Sequence, residues 1–196
     1  MLPPSEASSS VYTHSDAAPE YSPEERSLLL QIARESILAL LEARDISLFT
    51  PSDRLSEPRG VFTTLYLNRN LRGCVGYPTD LLPLYRAVME TARAAAFDDP
   101  RFVPLTPEEA SRIKISISVL SPLKTILAAE IEIGRHGLVI SEGACRGLLL
   151  PQVAVEHGWD VITFLEQTCR KAGLPANAWR VGAKLEAFTA EVFGDS

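Results

Sequence analysis

Two strand-forming runs, Val61 to Leu67 and Leu71 to Tyr77, are separated only by Asn68-Arg69-Asn70. So short a connection must return the chain antiparallel, because a parallel partner needs a crossover of about a dozen residues or more. The chain shows the same grammar again downstream. Gly137 to Ile140 and Arg146 to Leu150 read as two short strands on either side of Glu142-Gly143. Between the hairpins, Lys114 to Leu120 alternates, with Ile113, Ile115, Ile117 and Val119 on one face and Lys114, Ser116 and Ser118 on the other. That period of two predicts a half-buried strand. Leu185 to Phe193 reads as one final strand, with Phe188, Ala190 and Val192 on one side.

Helices fill the gaps. Ser22-Pro23-Glu24-Glu25 is a capping box with proline at the first helical position. Leu29, Ile32, Ala33, Ile37, Leu40 and Leu41 then recur at helical spacing to about Arg44. A loop with Pro51, Asp53, Pro58 and Gly60 follows. Leu81 to Phe97 is a second helix, and Asp98-Asp99-Pro100-Arg101-Phe102 is a charged break after it. Thr106-Pro107-Glu108-Glu109 opens a short helix or turn. Pro151 starts a helical turn to Glu156, and Asp160 caps a third main helix, Val161 to about Ala172, with Gly173 as its stop signal. The order is helix, hairpin, helix, strand, hairpin, helix, strand. Hairpins in that order predict an α+β fold with a mainly antiparallel sheet rather than a doubly wound one.

Residues 1–20 hold five serines, three prolines and no Lys or Arg, and are expected to be a flexible tail outside a body at 21–196. The composition is 46% hydrophobic and 22% charged, which is ordinary for a globular chain, and the net charge is −6. That sign argues against broad nucleic-acid or anionic-membrane binding. Three widely spaced cysteines do not make a disulfide framework. No apolar run approaches the ~18 residues of a membrane span. Met1-Leu2-Pro3-Pro4-Ser5 lacks the basic start and apolar core of a signal peptide. A cytoplasmic location is the expectation.

The return strand of the first hairpin carries the leading chemistry. Cys74 stands near Arg72, which could favour the thiolate that a nucleophile or redox centre needs. It could equally be a small buried hydrophobe wedged between Gly73 and Gly76. Glycine within a strand marks a bulge or a close backbone approach, so Gly73 and Gly76 are candidate ligand contacts too. His136 and His157 are the two histidines of the body, either one a general base or a metal ligand. His136 joins Cys74 and Arg72 as a catalytic candidate. Asp99 and Arg101 could bind a ligand or clasp a turn. Gln152 could present its amide to a ligand or satisfy nearby backbone, and Trp159 flanks the same helical turn. Cys145 lies in an expected turn, and Cys169 is expected in the core. No short metal-ligand pair, dinucleotide loop, Walker loop or nucleophile elbow occurs, so no cofactor or metal is expected.

Leu71-Arg72-Gly73-Cys74-Val75-Gly76 resembles the hallmark hexapeptide of the AMMECR domain family, with Val75 where isoleucine is more usual. The resemblance continues through Asp99-Pro100-Arg101-Phe102, Ile115 to Leu120, Gly134 to Leu138, Gly147 to Gln152 and Cys169 to Leu174, covering about residues 24–193. It implies a two-lobed α+β fold with a shared, largely antiparallel sheet, flanking helices and a cleft between the lobes. It also implies similarity to component A of the AmmeMemoRadiSam system, whose partners are a Memo-type protein and a radical-SAM protein. It carries over no established catalytic set. Two functional readings stand. One is a binding or regulatory component that engages a protein or an unknown small ligand. The other is an enzyme using Cys74, with Arg72 and a histidine brought near by folding.

Overall fold

The computed structural model describes residues 19–46 and 51–195. The expected flexible tail lies outside the described residues up to position 18. Its last residue, Glu20, is fastened: its N–H donates to Glu191 Oε2, and its carboxylate receives Arg59 Nη2 at 2.7 Å.

Helix α1 (Pro23–Leu41) opens with the expected capping box between Ser22 and Glu25. Helix α2 (Asp53–Ser56) is a single turn in the expected loop, capped by Ser52. Strands β1 (Val61–Leu67) and β2 (Asn70–Tyr77) form the first hairpin. Its turn is two residues, not three, because Asn68 and Arg69 both take positive φ, +51° and +69°. That backbone twist suits a tight hairpin. Helix α3 (Leu84–Phe97) starts three residues later than expected, with Pro83 at its N-cap and Leu81 80% exposed ahead of it. Helix α4 (Pro107–Ala110) and strand β3 (Lys114–Leu120) follow. Next come β4 (Lys124–Thr125), β5 (Gly137–Glu142) and β6 (Cys145–Leu149). Helices α5 (Pro151–Glu156), α6 (Val161–Lys171) and α7 (Ala178–Val181) precede β7 (Lys184–Phe188) and β8 (Ala190–Gly194).

The α+β class with antiparallel pairing holds, and every named strand pair is antiparallel. The strands do not share one sheet, however. They form two four-stranded sheets, ordered β2-β1-β3-β8 and β4-β7-β5-β6. The expected single strand over 185–193 divides at Thr189, with β7 in one sheet and β8 in the other. The segment paired with it does the same, with β3 in the first sheet and β4 in the second. A two-stranded ribbon thus passes from sheet to sheet. At its corner Ser121 N–H donates to the Thr189 carbonyl at 2.9 Å, and Thr189 N–H donates to Ser121 Oγ at 3.0 Å. Leu120 pairs with Ala190 and Lys124 with Ala187, so four steps on one side face three on the other. An extra residue of this kind bends a ribbon, and Pro122 has no N–H to continue the ladder.

The first sheet packs one face on α1 and α3 through Leu29, Ile32, Val61, Leu65, Val88, Ile115 and Ile117. The second packs on α6 through Leu138, Ile140, Phe164 and Leu165, with Cys169 fully buried as expected. A third cluster joins Leu120, Val139 and Phe188 to Phe62, Leu148 and Leu150, which lie in or beside both sheets. Among the described residues no helix is long and apolar enough to cross a membrane.

Candidate functional site

The hallmark strand β2 contains a bulge. Tyr66 pairs with Leu71 and Leu65 with Gly73, which leaves Arg72 as the extra residue. Bulges re-aim side chains. Arg72 is 9% exposed, and its guanidinium reaches α4. Its Nε donates to Glu109 Oε1 at 3.1 Å and its Nη2 to Glu109 Oε2 at 2.9 Å, a bidentate pair. Glu109 is also the acidic member of the Thr106 capping box, accepting from Thr106 N–H at 3.1 Å. The Arg72 guanidinium, followed by that N–H, holds the Glu109 carboxyl below the usual carboxylate range. Arg72 is therefore committed to α4, and the ion pair that the sequence left open for the thiol goes to Glu109.

The glycines of the hallmark are used for approach. A Cβ on Gly73 would stand 1.9 Å from the Ala95 carbonyl oxygen of α3. A Cβ on Gly76 would stand 2.2 Å from the Phe62 ring. Both positions let something come close that a side chain would hold off.

Cys74 is half-buried. Its Sγ accepts from Thr64 Oγ1 at 3.3 Å across the β1–β2 ladder. Its backbone faces the open edge of the sheet, where Asp99 and Arg101 meet it. Cys74 N–H donates to Asp99 Oδ2 at 2.9 Å, and Arg101 Nη2 donates to the Cys74 carbonyl at 3.3 Å. Asp99 and Arg101 pair bidentately, Nε to Oδ1 at 2.9 Å and Nη2 to Oδ2 at 2.7 Å. The two side chains stand in for a neighbouring strand and cover the edge, as unpaired edges require. The Arg101 guanidinium, then the Cys74 N–H, hold the Asp99 carboxyl far below its ordinary range against the opposing effect of burial. Both arginines stand over the Phe102 ring, Arg72 Cζ at 6.0 Å and Arg101 Cζ at 5.5 Å from its centroid.

Folding thus brings Arg72, Cys74, Asp99 and Arg101 to one edge. It sets the remaining candidates elsewhere. His136 precedes β5, and its Nδ1 accepts from Glu132 N–H at 3.1 Å. Burial lowers its pKa, with Arg135 adding to that and Glu132 opposing it. His157 stacks on Trp159 with ring centroids 4.7 Å apart, after α5. Gln152 is exposed on α5. Among the described residues neither histidine is hydrogen-bonded to Cys74. Cys145 is exposed, at the start of β6 beside the turn.

Sequence reasoning did not single out a concave surface to which the hallmark strand contributes Gly76. A recess of about 460 Å³ has among its lining residues Phe62, the candidate Gly76 and Pro78 from the side of the first hairpin, Leu148 and Val153 from the second sheet's side, and the cations Arg146 and Lys171. Its position follows from Gly147, whose added Cβ would stand 2.4 Å from Ala172 N. That absence of a side chain lets the end of α6 close on β6, which carries Lys171 to the same recess as Arg146. A second recess of about 350 Å³ shares Pro78 and Arg146 and adds Arg59, Lys184 and Glu186. The sequence signal was faint: one glycine in an apolar strand, flanked by a lone arginine.

Comparison with known proteins agrees on one grouping. The AMMECR1 family model matches residues 30–193. A protein of Methanopyrus kandleri is 46% identical over 182 residues, covering 87% of this chain and 88% of its own. A protein of Aquifex aeolicus is 41% identical over 175 residues, covering 84% and 90%. The crystal structure of an uncharacterized protein from Pyrococcus horikoshii superposes with a TM-score of 0.77 at 39% identity, covering 88% of this chain and 92% of that one.

Proposed function

The chain belongs to the AMMECR1 family, and from that membership we propose that it is a binding and regulatory component rather than a catalyst. The observation that carries this reading is the recess of about 460 Å³ beside the hallmark strand. It has the size and mainly apolar walls of a ligand site, which such sites typically share. This reading takes the recess as the place of the cleft that the family resemblance implies. The hallmark supports the same reading from the other side. Arg72, Gly73 and Gly76 serve an ion pair, a helix backbone and an aromatic ring, and the Cys74 thiol meets a hydroxyl where a catalyst would present a base.

In this reading the protein works in the cytoplasm with a Memo-type protein and a radical-SAM protein. The test is direct association of the three purified proteins from one cell type, under reducing and anaerobic conditions. A stable complex is expected. Complete failure to associate with either partner overturns the partnership.

A second reading keeps Cys74 as a nucleophile or redox thiol. What favours it is that the thiol remains half-buried rather than enclosed in the core, so a reagent has a route to it. Its test is the order of cysteine labelling given below.

A further inference from the structure

The recess has two features that together specify a ligand. Its walls are apolar at Phe62, Pro78, Leu148 and Val153, and its charged lining residues are Arg146 and Lys171, with no carboxylate among its lining residues. Both cations are exposed, and among the described residues neither forms an ion pair. The chain as a whole carries a net charge of −6, so this is a local reversal of sign. A planar guanidinium and a mobile ammonium at the mouth of an apolar recess favour an anion whose body is hydrophobic. The recess offers no uncharged polar side chain for a sugar or a base. Its volume of about 460 Å³ falls within the ~300–1,000 Å³ range of small-molecule sites.

We infer that this recess binds an amphipathic carboxylate: a small molecule whose apolar chain or ring lies against Phe62, Leu148 and Val153 while Arg146 and Lys171 hold its carboxylate. The inference rests on the reading of the chain as a binding component, and it names the ligand class of that same site. Arg146 supplies the geometry, since its fork matches a carboxylate in two parallel hydrogen bonds. Lys171 adds a second positive charge from the C-terminal turn of α6. Gly147, by admitting the end of α6 against β6, sets the two cations on one recess.

The experiment is calorimetric titration of the full chain with three probes of equal chain length: octanoate, octanol and octyltrimethylammonium. Octanoate is expected to bind saturably at one site, with octanol at least about tenfold weaker, the usual scale of one charge-assisted pairing. The ammonium probe is expected not to bind. The double variant Arg146→Gln, Lys171→Gln, at two exposed positions and so expected to fold, should lose about tenfold or more in octanoate affinity with its thermal unfolding unchanged. Absence of saturable octanoate binding overturns the inference. So does equal binding by the double variant, or equal binding of the ammonium probe. The partner assay separates the two claims. Association without octanoate binding removes the ligand class alone, and octanoate binding without association removes the partnership alone.

Discussion

Cys74 and Asp99 lie 25 residues apart, and the Cys74 backbone N–H donates to the Asp99 carboxylate at 2.9 Å. A strand edge is closed here by a side chain. The carboxylate that closes it is nearly inaccessible, 3% exposed, while the Arg101 side chain paired to it is 55% exposed. Water screens the outer partner, and the inner one does the structural work of accepting the strand's N–H.

Replacing Asp99 by Asn should lower stability at pH 7 by about 2 kcal/mol, the scale of a lost charged hydrogen bond discounted for the exposed arginine. The effect depends on pH with a defined sign. Arg101 depresses the folded-state pKa of Asp99, so its stabilisation is complete above the unfolded value of about 3.9 and is lost as pH falls through the lower folded value. Urea unfolding of wild type and Asp99→Asn should therefore differ fully at pH 7 and converge progressively below about pH 4. A gap that stays constant down to pH 2 would show that the charge contributes nothing.

Gly73→Ala should be severely destabilising, by about 3 kcal/mol or more, because backbone cannot yield as a side chain can. Its Cβ would meet the Ala95 carbonyl at 1.9 Å. Gly143→Ala is the internal control. There the position is open, with nothing within 4 Å, and the penalty is the φ of +57° alone, worth about 1 kcal/mol. Denaturation midpoints of the two variants decide between closeness and conformation as the reason for each glycine. Equal midpoints would sink the packing account of Gly73.

Iodoacetamide at neutral pH should label Cys145 first, Cys74 more slowly and Cys169 only after unfolding. Cys145 is exposed, Cys74 is half-buried and bonded to Thr64, and Cys169 is fully buried with its pKa raised by burial. Peptide mass mapping reads the order, with Cys74→Ser as control. If Cys74 reacts ahead of the exposed Cys145, the thiol is activated and the enzyme reading displaces the binding one.

The elements were legible where local rules suffice. Ser22 and Thr106 announce their helices because a capping box is satisfied within four residues. Strands β1 and β3 fall where β-branched content and alternation put them. Residue types also flagged Arg72, Cys74, Asp99 and Arg101, since an arginine beside a thiol and an acidic turn before Pro100 are unusual locally. What they do was not legible. Arg72 could not be assigned to Glu109 without the bulge that makes it the extra residue of β2. The clasp of Asp99 and Arg101 was an open alternative until the Cys74 edge arrived beside it. The last strand reads as continuous because nothing in Leu185 to Phe193 signals that Thr189 sits at a corner; the bend goes with the extra residue in the facing segment from Leu120 to Lys124.

By itself the sequence determined the three main helices, the hairpins, the antiparallel sense of the strands and the family, because each rests on spacing and residue type within a few positions; the short helices α2 and α7 were not legible in it. Only the tertiary structure decided that the strands form two sheets joined by a ribbon, that Arg72 serves α4 rather than Cys74, and that Arg146 and Lys171 share a recess with Phe62. The physical reason is the same in each case. These are relations between surfaces that meet only after burial, and their partners are set by packing across the fold rather than by neighbours along the chain.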